Sequence, residues 1–361
     1  IKGEFLWEIK LRAFESPIEP MLLENRISFE TFQVMIKSVE TFLPILREYL
    51  KLKAKLLGHE KGLPWYDLFA PIGSFTKKWS FDEARKLIVE KLSSFSEELG
   101  QFTDLAFEKN WIDAEPRKGK RGGAFCSSIK AIKESRILMT FEGHLDNVLT
   151  LTHELGHAFH NECLKDETPL NSTVPMVMAE TASIFNETLM MEYLKSENLT
   201  REERLSLIDK ELSDAVQLII DIYSRYLFEK SVFERRKEGT LSAKEISSLM
   251  TQAQKQAYGD GLDHNYLHPY AWIVKPHYYF PSLHFYNFPY TFGYLFGLGV
   301  FQIAKQNTSF YNDYKKLLAS TGRGSTEDVA ISVGIDVRRE EFWKSSLGKI
   351  AESLELFKTL I

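Results

Sequence analysis

The segment LDNVLTLTHELGHAFHNECL, Leu145–Leu164, spaces its apolar residues three and four apart. That is the period of an amphipathic helix, and Asp146 or Asn147 is placed to cap its first turn. Within it, LTHELGHAFH sets His153 and His157 four residues apart. Residues at that spacing differ by about 40° around a helix axis, so both imidazoles leave one face and can share a cation. The alternative is a solvated helix with incidental histidines. If the pair does hold a metal, the rest of the fold must deliver a further donor to that face, because two histidines are an incomplete site.

Zinc accepts two imidazoles and, where it is catalytic, usually a third protein ligand plus a water. Glu154 follows the first histidine directly, where its carboxylate can lie beside that water as a general base without binding the metal. Beyond a polar interruption at Lys165–Thr173, a second helix is predicted to start near Pro175, a residue suited to a first helical turn. In its VPMVMAETASIFNE, Glu180 is the third ligand. Two histidines and one carboxylate partly neutralise zinc while leaving it acidic enough to bring the pKa of its water towards neutrality. Glu187, seven residues on and so on the same helical face, would hold a ligand imidazole by its other nitrogen; otherwise it is a surface carboxylate. His144, Asp146, His160 and Glu162 are read as packing or capping residues.

The remainder is mainly helical. FETFQVMIKSVETFLPILREYLKLKAKLLG, within Ser28–Gly58, is read as two helices or one kinked at Pro44. Helical spacing returns at Phe81–Asn110, Glu202–Lys237 and Ser242–Gln256. After the charged, glycine-rich GKRGG at Gly119–Gly123, GGAFCSSIKAI and SRILMTF read as two short strands about a turn near Lys133–Ser135, a small antiparallel sheet beside the motif helix.

A chain of 361 residues, 44% of them apolar, can bury a large core, and a net charge of -5 with 26% charged residues gives no basic field for nucleic acid or an anionic membrane. Two isolated cysteines, Cys126 and Cys163, fit a reducing compartment. No membrane span or secretion leader is recognisable, so a cytoplasmic location is expected. Small peptides or metabolites are the expected partners. From His264 to Gly297 the chain reads HNYLHPYAWIVKPHYYFPSLHFYNFPYTFGYLFG. Most of its Phe residues and Trp272 are read as core or cleft wall. Its Tyr and His residues are the available donors for an oxyanion.

HELGHAFH with MAETASIFNE, GKRGGAFCS, KPHYY and FYNFPYTFGYLFGLG, in that order, resemble the oligoendopeptidase F and thimet oligopeptidase family of zinc metallopeptidases. The helical stretch from Glu24 is also similar, so the resemblance covers almost the whole chain. The family's amino-terminal region has no counterpart, and the sequence, which opens on Ile1, reads as a catalytic-domain portion. The resemblance implies a mainly α, multi-helix zincin-type domain with its small antiparallel sheet next to the HExxH helix, divided here into a helical subdomain, 1–115, and a zinc-site subdomain, 116–361. It implies one Zn2+ per chain on His153, His157 and Glu180, with Glu154 as base. It further implies a histidine, His277 or His284, and two tyrosines, Tyr290 and Tyr294, at the transition state. A strand at Gly123–Ser128, with Gly123, Ala124 and Phe125 on the substrate side, would let a peptide add as a further strand.

The function expected is zinc-dependent endopeptidase cleavage of short oligopeptides, with no nucleic-acid or membrane partner. Oligomeric state is not legible in the sequence. The alternatives are a zinc carboxypeptidase, which needs a cation for a terminal carboxylate and has Arg121, Lys130 and Lys275 as candidates, and a non-catalytic peptide-binding fragment.

Overall fold

The computed structural model describes residues 1–307 and 309–361. Helices dominate it, and their starts follow the sequence. Ser28 accepts from the Thr31 backbone N–H and opens the helix Phe29–Leu56, which runs unbroken through Pro44. Ser80 and Glu83 form a reciprocal cap for Phe81–Phe95, and Ser96, in an extended conformation, separates that helix from Glu97–Glu108.

The sheet has three strands: β1 (Ile112–Asp113), β2 (Phe125–Ile129) and β3 (Glu134–Leu138), in the order β1-β3-β2. β2 and β3 are antiparallel, pairing Phe125 with Leu138 and Ile129 with Glu134. Their connection is a tight turn at Lys130–Ile132 completed by Lys133 at φ 54°, slightly earlier than the sequence suggests. β1 adds in parallel to β3, a two-residue strand too short to leave a periodic signal. Ser135 of β3 accepts from the Asn161 side chain at 3.1 Å, which ties the sheet to the motif helix. The other edge of the sheet is β2.

The motif helix, Leu145–Cys163, lies against the helix Thr181–Ser196, and Gly156 marks their crossing. A Cβ on Gly156 would sit 2.5 Å from the Ala182 carbonyl oxygen, so only glycine permits this approach. A third helix, Phe288–Gln306, closes on the same region: added Cβ atoms at Gly293 and Gly297 would meet Glu180 Cβ at 3.0 Å and Ile184 Cβ at 2.7 Å. Around these three helices one apolar core extends from Phe5 to Phe357.

The segment expected as one helix from Glu202 to Lys237 is interrupted. Arg201–Ala215 and Ile222–Arg236 are α-helical, but Val216–Asp221 between them is a π-helical turn. Such a turn widens the helix and disturbs its carbonyl register. The Leu218 carbonyl here accepts from Thr291 Oγ1 at 2.5 Å, joining the turn to Phe288–Gln306. Among the described residues no helix is long and apolar enough to cross a membrane.

Candidate metal centre and its clefts

The second helix predicted from Pro175 is two helices. Met176–Ala179 ends at Glu180, which has φ −87° and ψ 1°, and Thr181–Ser196 begins after it. This break sets the Glu180 side chain across the glycine seam from the motif helix. Its Oε2 is 3.3 Å from His153 Nε2 and 3.4 Å from His157 Nε2, and the three donor atoms lie within 4.8 Å of one another. For bonds of about 2.0–2.1 Å, a tetrahedral ion needs donor separations of roughly 3.3–3.4 Å. The carboxylate stands at that separation from both imidazoles, and a set of two ring nitrogens and one carboxylate oxygen fits a zinc-type ion.

Glu187 reaches the opposite side of the first imidazole, with its Oε2 3.1 Å from His153 Nδ1. An Nδ1–H donated to this carboxylate turns Nε2 towards Glu180 and His157. Burial alone lowers the His153 pKa, but hydrogen bonds from the ring to Glu180 and Glu187 overcome it and carry the ring up to about 10. Burial likewise opposes ionisation of Glu180, yet the two imidazoles hold its carboxyl well below the usual range. Ser183 Oγ also donates to Glu180 Oε2, at 2.8 Å.

Glu154 is buried, and its Oε2 has no hydrogen-bond partner. Burial pushes its pKa up, while the charges on His157 and His153 pull the other way. It lines a cavity of about 340 Å³ with both histidines and with Ala124, Phe125 and Cys126 at the start of β2. Gly123, at φ 86°, turns the chain into that strand. On the far side a second cavity, of about 390 Å³, is walled by Met191, Leu218, Tyr290 and Tyr294. His153 and Glu180 line both cavities, so the three-donor cluster stands where they meet.

The aromatic tract divides. Tyr290 and Tyr294 face the second cavity, and Tyr290 Oη is 2.8 Å from Tyr286 Oη. His277 is buried behind that pair: its ring is 5.4 Å from the Tyr286 ring, and its Nε2 is unpartnered. His284 goes elsewhere. Its Nδ1 is 2.8 Å from Lys2 Nζ, which is 2.6 Å from Glu229, and its ring packs 3.7 Å from Phe5. Neither histidine lines either cavity. His160 pairs with Thr321 at 2.8 Å and Asp146 with Lys210 at 3.4 Å. Asn147 accepts from the His144 backbone at 3.1 Å. His160 thus packs and Asn147 completes the cap at His144, whereas Asp146 makes an exposed ion pair.

Three residues at the clefts escape the sequence reading. Tyr286, in hydrogen-bond contact with Tyr290, could have been found from the tyrosine-rich tract that holds both, although it lies in the turn ahead of the helix Phe288–Gln306. The cleft-lining Gln217 and Leu218 could not, because nothing in QLIID announces a π turn.

Residues 87–349 match the profile of peptidase family M3. The chain is a member of that family. Its M3 relatives include the chromosomal oligoendopeptidase F of Lactococcus lactis subsp. cremoris, 28% identical over 98% of this chain and 58% of the relative. Another is the oligopeptidase PepF of Bacillus subtilis, 25% identical over 98% and 52%. Among solved structures, a putative peptidase from Chlamydophila abortus superposes with a TM-score of 0.87 over 100% of this chain and 60% of that one, at 23% identity. Oligoendopeptidase-F from Enterococcus faecium gives 0.74 over 99% and 58%, at 20% identity. The mainly helical M3 fold with its small sheet is therefore shared, and this M3 chain spans just over half the length of these relatives. M3 is a family of metallopeptidases, and among the described residues His153, His157 and Glu180 form a group that could hold a metal ion.

Proposed function

We propose that this chain is the catalytic portion of a zinc-dependent oligoendopeptidase that hydrolyses internal bonds of short peptides in the cytoplasm. The observation that carries the reading is the convergence of His153, His157 and Glu180, with the carboxylate 3.3 and 3.4 Å from the two imidazole nitrogens, beside a buried carboxylate with a free oxygen. Zinc held there supplies a polarised carbonyl and an acidified water. Relatives bearing the names oligoendopeptidase F and oligopeptidase support the substrate class.

Glu154 takes the proton from the attacking water at Oε2 and passes it to the departing amine. Its burial suits it to both steps, because a carboxyl with a raised pKa holds the proton between them. Tyr290 donates its hydroxyl hydrogen to the oxyanion forming on the scissile carbonyl, oriented by Tyr286 at 2.8 Å. His277 steadies Tyr286 from behind, and Glu187 fixes the tautomer of His153. A peptide adds along β2, and Ala124 and Phe125 bring that edge to the cavity containing Glu154. Backbone pairing of this kind gives broad sequence tolerance.

An internal cut is favoured over removal of a terminal residue by the charges beside the cluster. Among the described residues lining the two cavities, the cation is Lys210, and it is engaged by Asp214 at 2.9 Å and Asp146 at 3.4 Å. Lys130 is turned to Ser172 and Arg121 is exposed.

The test is metal content by mass spectrometry beside cleavage of an internally quenched peptide blocked at both ends. Near-stoichiometric zinc and chelator-sensitive cleavage are expected. Glu154→Gln should keep the zinc and lower turnover by about 10³-fold or more. Retained activity in that variant removes Glu154 as the base. Zinc without cleavage in the parent chain makes it a peptide-binding portion instead.

A further inference from the structure

Gln217, in the π-helical turn, lines the cavity containing Tyr290 and His153. It also lines a neighbouring cavity reaching Gly73 and Asp146, and a third one walled by Trp65, Arg225, Lys275 and Tyr278. Three cavities are thus adjacent at one exposed side chain, leading in order away from the metal cluster.

The third cavity, of about 230 Å³, differs from the others in charge. Arg225 is ion-paired with Asp221. The Lys275 side chain is half-buried and, among the described residues, makes no ion pair or hydrogen bond; burial lowers its pKa, the Arg225 charge adds to the effect and the Asp221 charge opposes it. Tyr278, 8% exposed, contributes a buried hydroxyl with no partner. An ammonium with no ion pair of its own, beside an Arg225–Asp221 pair whose charges offset one another, and an unpaired hydroxyl in the same recess suit a small anion. A peptide lying in the cleft carries one such group whatever its sequence: its terminal carboxylate.

We propose that Lys275, with Tyr278 and the Arg225–Asp221 pair around it, seats the free C-terminal carboxylate of the substrate, at a distance from the metal cluster and by way of Gln217. This rests on the peptidase reading given above and adds a ruler to it. A peptide anchored at its C-terminus meets the metal cluster at a fixed count of residues from that end, so the seat selects short peptides and sets the bond that is cut.

The experiment uses the full chain as Glu154→Gln, so that peptides bind without turnover, and measures fluorescence anisotropy of N-terminally labelled peptides ending in a carboxylate or an amide. The free acid should bind about ten to a hundred times more tightly, as expected for a hydrogen-bonded charge. Lys275→Met should collapse that ratio to about one, and Lys275→Arg should largely restore it. In the active chain, peptides lengthened at the N-terminus should be cut at a constant count from the C-terminus. Equal binding of acid and amide, or a ratio that survives Lys275→Met, overturns the proposal. A ratio that collapses as predicted in a chain that cleaves no peptide supports the seat and refutes the peptidase reading.

Discussion

Gly156→Ala adds one methyl group at the crossing of the motif helix and Thr181–Ser196. The new carbon would stand 2.5 Å from Ala182 O, 2.6 Å from Ser183 Cα and 2.8 Å from Ala182 C. All three are backbone atoms, so no side chain can turn aside. Ordinary contact begins at 3.4 Å, and the helices must therefore part by roughly 0.9 Å. His153 and His157 belong to one side of that seam, Glu180 and Glu187 to the other. Metal sites tolerate displacements of only about 0.2 Å, whereas overpacking a core costs about 1–3 kcal/mol. In a chain of this size that lowers Tm by only about 2–4 °C. The variant should consequently fold and yet hold metal poorly, with affinity reduced by about 100-fold or more, the upper range for loss of an outer-shell contact. Metal per chain, competition against a chromophoric chelator and a thermal scan of the metal-free protein measure the two effects separately. Parental metal affinity with an unchanged Tm would mean that the seam does not set the donor spacing.

Glu187→Ala removes the acceptor from His153 Nδ1 and should weaken zinc by about tenfold rather than a hundredfold, since the carboxylate is partly exposed and screened; unaltered competition with a chelator would count against it. Tyr290→Phe should lower kcat about 10²-fold with little change in KM, and an equal rise in KM would instead make the hydroxyl a ground-state contact. His160 is buried, and burial holds its pKa down to about 4, below an unfolded value near 6.5. A depressed pKa contributes stability that is present above pH 6.5 and lost as pH falls towards 4, about 3 kcal/mol in all. Denaturant midpoints across that window should fall less steeply in His160→Leu, and parallel curves would exclude His160 as the group responsible.

The placing of His153 and His157 on one face was legible because a four-residue spacing on a helix is a local relation, fixed by 3.6 residues per turn wherever the helix lies. Glu180 and Glu187 were also found, although on a different geometry from the one assumed. A continuous helix was expected to align them, whereas Glu180 ends one helix and precedes the next. Both still face His153, because the break occurs where the chain crosses the glycine seam. Tyr290 and Tyr294 share a face four residues apart on Phe288–Gln306, and this too is local. Between His277 and His284 the sequence could not choose. The structure separates them, sending His284 to Lys2 and Glu229, 282 and 55 positions away, and leaving His277 behind Tyr286.

What the sequence determined by itself follows from short-range physics: helix periods, caps such as Ser80 with Glu83, the β2–β3 hairpin, and a histidine pair on one face. Tertiary structure alone decided which cavity each donor faces, that Val216–Asp221 widens into a π turn, and that Lys275, among the described residues, makes no ion pair. Those outcomes depend on which distant surfaces exclude water from one another. Packing of that kind is settled by volume and burial summed over the whole core, and no local pattern encodes it.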